Sequence, residues 1–135
     1  MAEHDTSGQS ADFPSDEALG RWITALVDYA QDWDRTFENR PDYFTQEYWY
    51  LFVGCLTARW RGAPLTVSAA CQVMKSGSNR TREDRIKRAV MDGYLMKEKA
   101  DEDGRTAYVV PTPKLEAVMR DHLARTLLGT RAAIG

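Results

Sequence analysis

Cysteine and histidine are scarce in this chain, with two of each in 135 residues. The cysteines, Cys55 and Cys71, sit on apolar helical stripes, with no CxxC pair and no His/Cys cluster. A metal centre or redox motif therefore has no ligand set to build on, and both thiols read as buried and inert. No metal or other cofactor is expected. His4 lies in a polar tail and His122 on a helix near the end, neither with a partner at catalytic spacing. There is no nucleophile motif, no Gly-rich phosphate loop and no paired-carboxylate constellation, so nothing points to an enzyme. Long apolar runs are missing too: none approaches the roughly 18 residues that span a bilayer. Met1 to Ser15 lacks the basic and apolar regions of a signal peptide, and the chain reads as cytoplasmic.

Cations are scarce in one half only. Residues 1–58 hold three (Arg21, Arg35, Arg40) against eleven acids, a balance of −8. Residues 59–135 hold fifteen against nine acids, a balance of +6, which together recover the net −2. Such segregation suits a molecule with one face turned to phosphate and another turned away from it.

The length supports one domain. Met1 to Pro14, rich in Ser, Asp and Gly, reads as a disordered tail, and 15–135 as the folded part. Ser15 can cap a first helix from Asp16 to Phe37, with a stripe of Leu19, Trp22, Ile23, Leu26, Val27, Ala30, Trp33 and Phe37. Asn39-Arg40-Pro41-Asp42 breaks the pattern. Thr45 caps a second helix that is apolar round most of its circumference and is expected at the centre. A short helix capped by Thr66 follows, then the polar turn Lys75 to Asn79, then a basic helix from Arg80 to Asp92 stopped by Gly93. Two strand-like runs, Tyr94 to Lys99 and Thr106 to Val110, flank an Asp103-Gly104 turn. Thr112 and Pro113 start a last helix, Lys114 to Leu128. The fold class is thus mainly α with a small β-hairpin: a winged helix-turn-helix over 65–113 with flanking helices available for dimerisation.

A helix-turn-helix whose second helix carries cations is the pattern of a major-groove reader. On a helical wheel, Ile86, Ala89 and Val90 point inward, Thr81, Asp84 and Arg88 outward, and Arg80, Arg85 and Lys87 lie at the flanks. Thr81, Asp84, Arg85 and Arg88 are the candidates for base readout. For Asp84, a capping role opposite Thr81 is the alternative. Lys75, Ser78, Arg80, Lys97 and Lys99 are the candidates for DNA-backbone contact.

The order of elements resembles the MarR family of winged helix-turn-helix regulators. The residues that carry the resemblance are Leu65-Thr66-Val67-Ser68, the stretch Arg85 to Leu95, the wing Asp101 to Arg105, and Thr112-Pro113-Lys114. It implies a homodimeric double-stranded-DNA-binding transcription regulator, with Arg105 as the wing arginine on the DNA and Asp103 steadying it. Small phenolic or lipophilic effectors are also implied, and the aromatic set of the first two helices could line their pocket, although aromatics at helical spacing read first as core or interface. The chain departs from the family in carrying one helix after the wing where two are common. Trp22, Leu26 and Trp33 of the first helix with Leu123 and Leu127 of the last are the expected dimer contacts. The rival reading is a winged-helix module that docks protein without reading DNA, which the acidic first half favours. A positive stripe along the basic helix and wing would support DNA, and an exposed apolar stripe there would support a protein partner.

Overall fold

The computed structural model describes residues 12–99 and 106–135. The disordered-tail reading of Met1 to Pro14 falls mostly, and the wing turn with Asp103, Gly104 and Arg105 wholly, outside those residues. Helix α1 (Asp16–Thr36) starts where the Ser15 hydroxyl accepts the Ala18 amide at 3.1 Å, with Asp16 and Glu17 in the positive first turn. It ends at Phe37, after which Glu38 and Asn39 take left-handed φ values of 62° and 56°. That reversal leads into a single 3-10 turn, Pro41–Tyr43, with Pro at its start. Helix α2 (Gln46–Trp60) is capped by Thr45 and buries Tyr48, Leu51, Phe52, Cys55, Leu56 and Ala58. It is the central helix its composition predicts.

Strand β1 (Leu65–Thr66) leads directly into α3 (Val67–Val73), so Thr66 both pairs in a sheet and caps a helix, accepting the Ala69 amide at 3.1 Å. Helix α4 (Asn79–Met91) begins at Ser78, whose hydroxyl accepts the Thr81 amide at 3.2 Å. Strands β2 (Leu95–Lys99) and β3 (Ala107–Pro111) pair antiparallel, Leu95 opposite Pro111 and Lys99 opposite Ala107. The sequence suggests a two-stranded hairpin, but β1 adds to it, Leu65 opposite Val109, giving three antiparallel strands in the order β1-β3-β2. Helix α5 (Pro113–Ile134) runs six residues beyond the expected end at Leu128.

The core is aromatic. Trp33, Phe37, Tyr43, Tyr48, Phe52 and Tyr94 are all buried. Tyr43 and Phe37 each meet Tyr94 with ring centroids 5.2 Å apart and edge to face, the arrangement the ring quadrupole favours. Burial raises the Tyr43 phenol well above its ordinary range and takes Tyr48 up to about 12. Ile86 and Ala89 pin the inner face of α4 against this core, and Leu115 and Met119 do so for α5.

Helices α1 and α5 pack side by side through charge. The Asp32 carboxylate is buried, 2.8 Å from His122 Nδ1, and accepts two bonds from Arg125, each 2.9 Å. Those Arg125 bonds hold the Asp32 carboxyl well below the usual carboxylate range. Burial pushes His122 down, against the pull of Asp32. The sequence gives His122 no visible partner because the partner lies 90 residues earlier.

Candidate nucleic-acid interface

Helix α4 is held from behind and at both ends. At its start, the Ser78 cap fixes the first turn, and Ser78 Oγ lies 3.1 Å from Thr81 Oγ1. At its end, Tyr43 donates to the Asp92 carboxylate, Arg40 pairs with the same carboxylate at 2.9 Å, and Lys114 donates to the Asp92 carbonyl at 3.1 Å. The hydrogen bond from Tyr43, with Arg40 nearby, holds the Asp92 carboxyl below its ordinary value. The Thr112 hydroxyl donates to the Gly93 carbonyl at 2.6 Å, tying the end of the wing to the end of α4. From behind, Tyr48 donates to the Arg85 carbonyl at 3.0 Å. A helix so restrained presents its outer face as a fixed surface.

That outer face is polar. Arg80, Thr81, Asp84, Lys87 and Arg88 are exposed, and Met91 is the one large apolar side chain on α4 that stands exposed. Thr81, Asp84, Arg85, Lys87, Arg88 and Met91 line a groove of about 560 Å³ against Tyr48 and Asp92. Lys97 and Lys99 are exposed on β2, and Lys75 is exposed on the turn before α4, its Nζ 5.7 Å from the Tyr50 ring centroid.

Several side chains singled out from the sequence have other partners. Arg85 is half-buried: its Nη1 donates to the Ser76 carbonyl at 2.7 Å and lies 3.8 Å from Glu47 Oε2, which itself accepts the Ser76 amide at 2.9 Å. Arg85 thus clips the α3–α4 turn to the start of α2. Arg88 donates to Asp42 Oδ2 at 3.0 Å. Ser78 is a helix cap rather than a free hydroxyl. The capping alternative for Asp84 is not what the fold uses, because Ser78 supplies the cap and Asp84 is exposed. Arg82 lies half-buried on the inner edge of α4, with a buried Nε that has no hydrogen-bond partner among the described residues.

Of the expected dimer contacts, Trp22, Leu26 and Leu127 are 44%, 46% and 50% exposed, and Leu123 is half-buried against the core. Trp33 is a correction. It is 3% exposed, and its indole N–H donates to the Tyr43 carbonyl at 2.8 Å, so it belongs to the interior of its own chain. Ile23, Val27 and Leu128, none of them singled out as contacts, are exposed beside Trp22, Leu26 and Leu127 along the same two helices.

The aromatics of the first two helices and the segment between them divide. Phe37, Tyr43, Tyr48 and Phe52 are core, whereas Tyr29, Phe44 and Trp49 line a cavity of about 420 Å³ with Ala30, Trp33, Thr45, Gln46 and Tyr50, the last not singled out from the sequence. Trp49 Nε1 donates to the Tyr29 hydroxyl at 2.7 Å across α1 and α2.

No protein-family profile and no curated protein matches this chain. Among solved structures it is similar to one from Bacillus cereus ATCC 10987 described as a MarR-like transcription regulator, at 17% identity and a TM-score of 0.51, covering 85% of this chain and 78% of that one. It is likewise similar to AbsC, a MarR family transcriptional regulator from Streptomyces coelicolor, at 17% identity and a TM-score of 0.51, covering 90% of this chain and 80% of that one. At such identity the likeness is one of fold, and it agrees with the element order and the three-stranded sheet: the chain has the winged helix-turn-helix fold of the MarR-like regulators.

Proposed function

We propose that this chain is a sequence-specific double-stranded-DNA-binding transcription regulator that works as a homodimer. The observation that carries the reading is the outer face of α4, a rigidly held helix that shows water Arg80, Thr81, Asp84, Lys87 and Arg88 and no apolar stripe. Cations on the phosphates would supply affinity, and Thr81, Asp84 and Arg88 would meet base edges. Lys75, Lys97 and Lys99 flank the helix on the turn and the wing. Arg105 at the wing is proposed as a further contact on the resemblance alone. The docking-module rival needs an apolar stripe where α4 offers Met91. The test is binding to random and selected duplex DNA over a salt series: a linear fall of log K with log salt, with preference for a selected site, is expected, and salt-independent or absent binding overturns the reading.

The dimer reading rests on the exposed Trp22, Leu26 and Leu127. Two of these helices from each copy would bring two α4 helices to successive half-sites. The cavity walled by Tyr29, Phe44, Trp49 and Tyr50 suits a small aromatic or lipophilic effector, because it is mostly apolar with a few hydroxyl and amide groups at its edge. Quenching of tryptophan fluorescence by a panel of phenols, lost in Trp49→Ala, would test that occupant. No helix among the described residues is long and apolar enough to cross a membrane.

A further inference from the structure

Two arginines of α4, Arg85 and Arg88, are both paired with carboxylates, but in different ways. Arg85 is enclosed: it bonds a backbone carbonyl, sits beside Glu47, and closes a turn. Arg88 is open. Its side chain is 52% exposed, that of Asp42 is 56% exposed, and among the described residues Asp42 bonds no other side chain. Asp42 does not wander, because the next residue, Tyr43, is fully buried and bonded through both its hydroxyl and its carbonyl. The fold therefore holds an anionic oxygen on the face that would meet DNA phosphate, at hydrogen-bond distance from a cation that would meet the same phosphate or a base.

We propose that Asp42 is a built-in competitor for DNA, a positioning residue that keeps Arg88 in an internal pair and sets the affinity of the helix by having to be displaced. This rests on the DNA-binding reading. Asp42 and Glu47 flank Phe44, Thr45 and Gln46, which line the aromatic cavity on the other side of the same short segment. The pair thus lies where a shift of that segment would change how tightly Arg88 is held. An exposed pair of this kind contributes little to stability, so it can be opened at small cost.

The experiment is fluorescence anisotropy with a mixed-sequence duplex of about 30 base pairs, over a salt series, on the full chain. Asp42→Asn keeps the shape of the side chain and removes its charge. Asp28→Asn, an exposed site on α1, makes the same change of net charge away from α4. Asp42→Asn is expected to bind about two- to fivefold more tightly than Asp28→Asn at low salt, with an unchanged melting temperature. In an Arg88→Ala background that advantage should vanish. Equal binding by the two Asn variants, weaker binding by Asp42→Asn, or an advantage that survives without Arg88 overturns the proposal while leaving DNA binding intact. A wild-type chain with no salt-dependent binding to any duplex overturns both.

Discussion

The α1–α5 layer and the α4 layer are built inside out relative to each other. Helix α4 turns Ile86 and Ala89 inward and charge outward. Helices α1 and α5 turn a buried Asp32–His122 pair inward and leave Trp22, Ile23, Leu26, Val27, Leu127 and Leu128 exposed. A single exposed Leu needs no explanation, but six large apolar side chains on two adjacent helices do. The surface of α4 is complete in water, ready for a polar partner. That of α1 and α5 is not, and it is the surface the proposed homodimer would bury. Inside, the contrast has an energetic side. Close packing on an aromatic core and several separate hydrogen bonds share the hold on α4, whereas the polar part of the α1–α5 seam converges on one carboxylate serving two donors.

Breaking that seam should have the largest effect. Asp32→Ala leaves the Nδ1 of a fully buried His122 without its acceptor and Arg125 without two bonds. The expected loss is about 4 kcal/mol in urea denaturation, the usual outcome when one member of a buried pair is removed. Arg125→Ala should cost far less, because that side chain is 55% exposed and water can replace it. Equal losses for the two variants would show that the seam is held by something other than Asp32.

Turning the apolar face polar comes next. Leu26→Asp with Leu127→Asp should weaken the dimer by about 3 kcal/mol while leaving the monomer folded, since both side chains are half exposed in one copy. Light scattering over a dilution series reads this directly: wild type at twice the chain mass, the variant at one. A wild type at one chain mass throughout would show that the exposed face does not serve a homodimer. Leu123 is a poorer target, being packed on the core.

Acid should loosen the same seam selectively. His122 titrates below its ordinary 6.5 and Asp32 below its ordinary 3.8, so the unfolded chain binds more protons at both sites. Both groups therefore contribute stability that is present at neutral pH and lost on acidification. Unfolding free energy should fall first as pH drops below about 6.5, from His122, and again below about 4, from Asp32. His122→Gln should remove the first step and keep the second. A profile for the variant that overlays wild type between pH 5 and 7 would exclude His122 as its source.

Which of these features the sequence shows depends on how local their causes are. The caps Ser15, Thr45, Thr66 and Thr112 are legible because a cap and the amide it accepts lie three residues apart. The start of α4 is read one residue late because Ser78 and Asn79 are both cap-forming residue types. Strand β1 is invisible because two residues carry no period. The last helix continues through Gly129 and Thr130, past the expected end at Leu128, although glycine in a helix costs about 1 kcal/mol relative to alanine. The first helix shows an apolar stripe, but periodicity alone cannot say which part of it another element covers. The 3-10 turn covers Trp33 and leaves Trp22 bare. The wheel of α4 places its residues well, and Arg85 and Arg88 do lie where it puts them. Their carboxylate partners come from Glu47 and from Asp42, 46 residues before Arg88, and no local pattern announces them.

The smallest expected effect is also the sharpest on α4. Lys87 and Arg88 are adjacent, both exposed and both cationic, and the helical wheel sets Arg88 outward and Lys87 at its flank. In the fold they also differ. Among the described residues Lys87 pairs with no carboxylate, while Arg88 is 3.0 Å from Asp42. A contact that neutralises one phosphate contributes about 0.9 to the slope of log K against log salt. Lys87→Ala should therefore lower that slope by about one unit, as a free cation would. Arg88→Ala should lower it by distinctly less, because losing Arg88 also frees Asp42 from a pair that DNA had to break, and the unpaired carboxylate then faces the duplex in both states of the variant. Slopes measured for the two variants on one duplex decide it. Equal drops would mean that Asp42 has no hold on Arg88 when DNA arrives, and that the ion pair seen on α4 is ordinary surface chemistry.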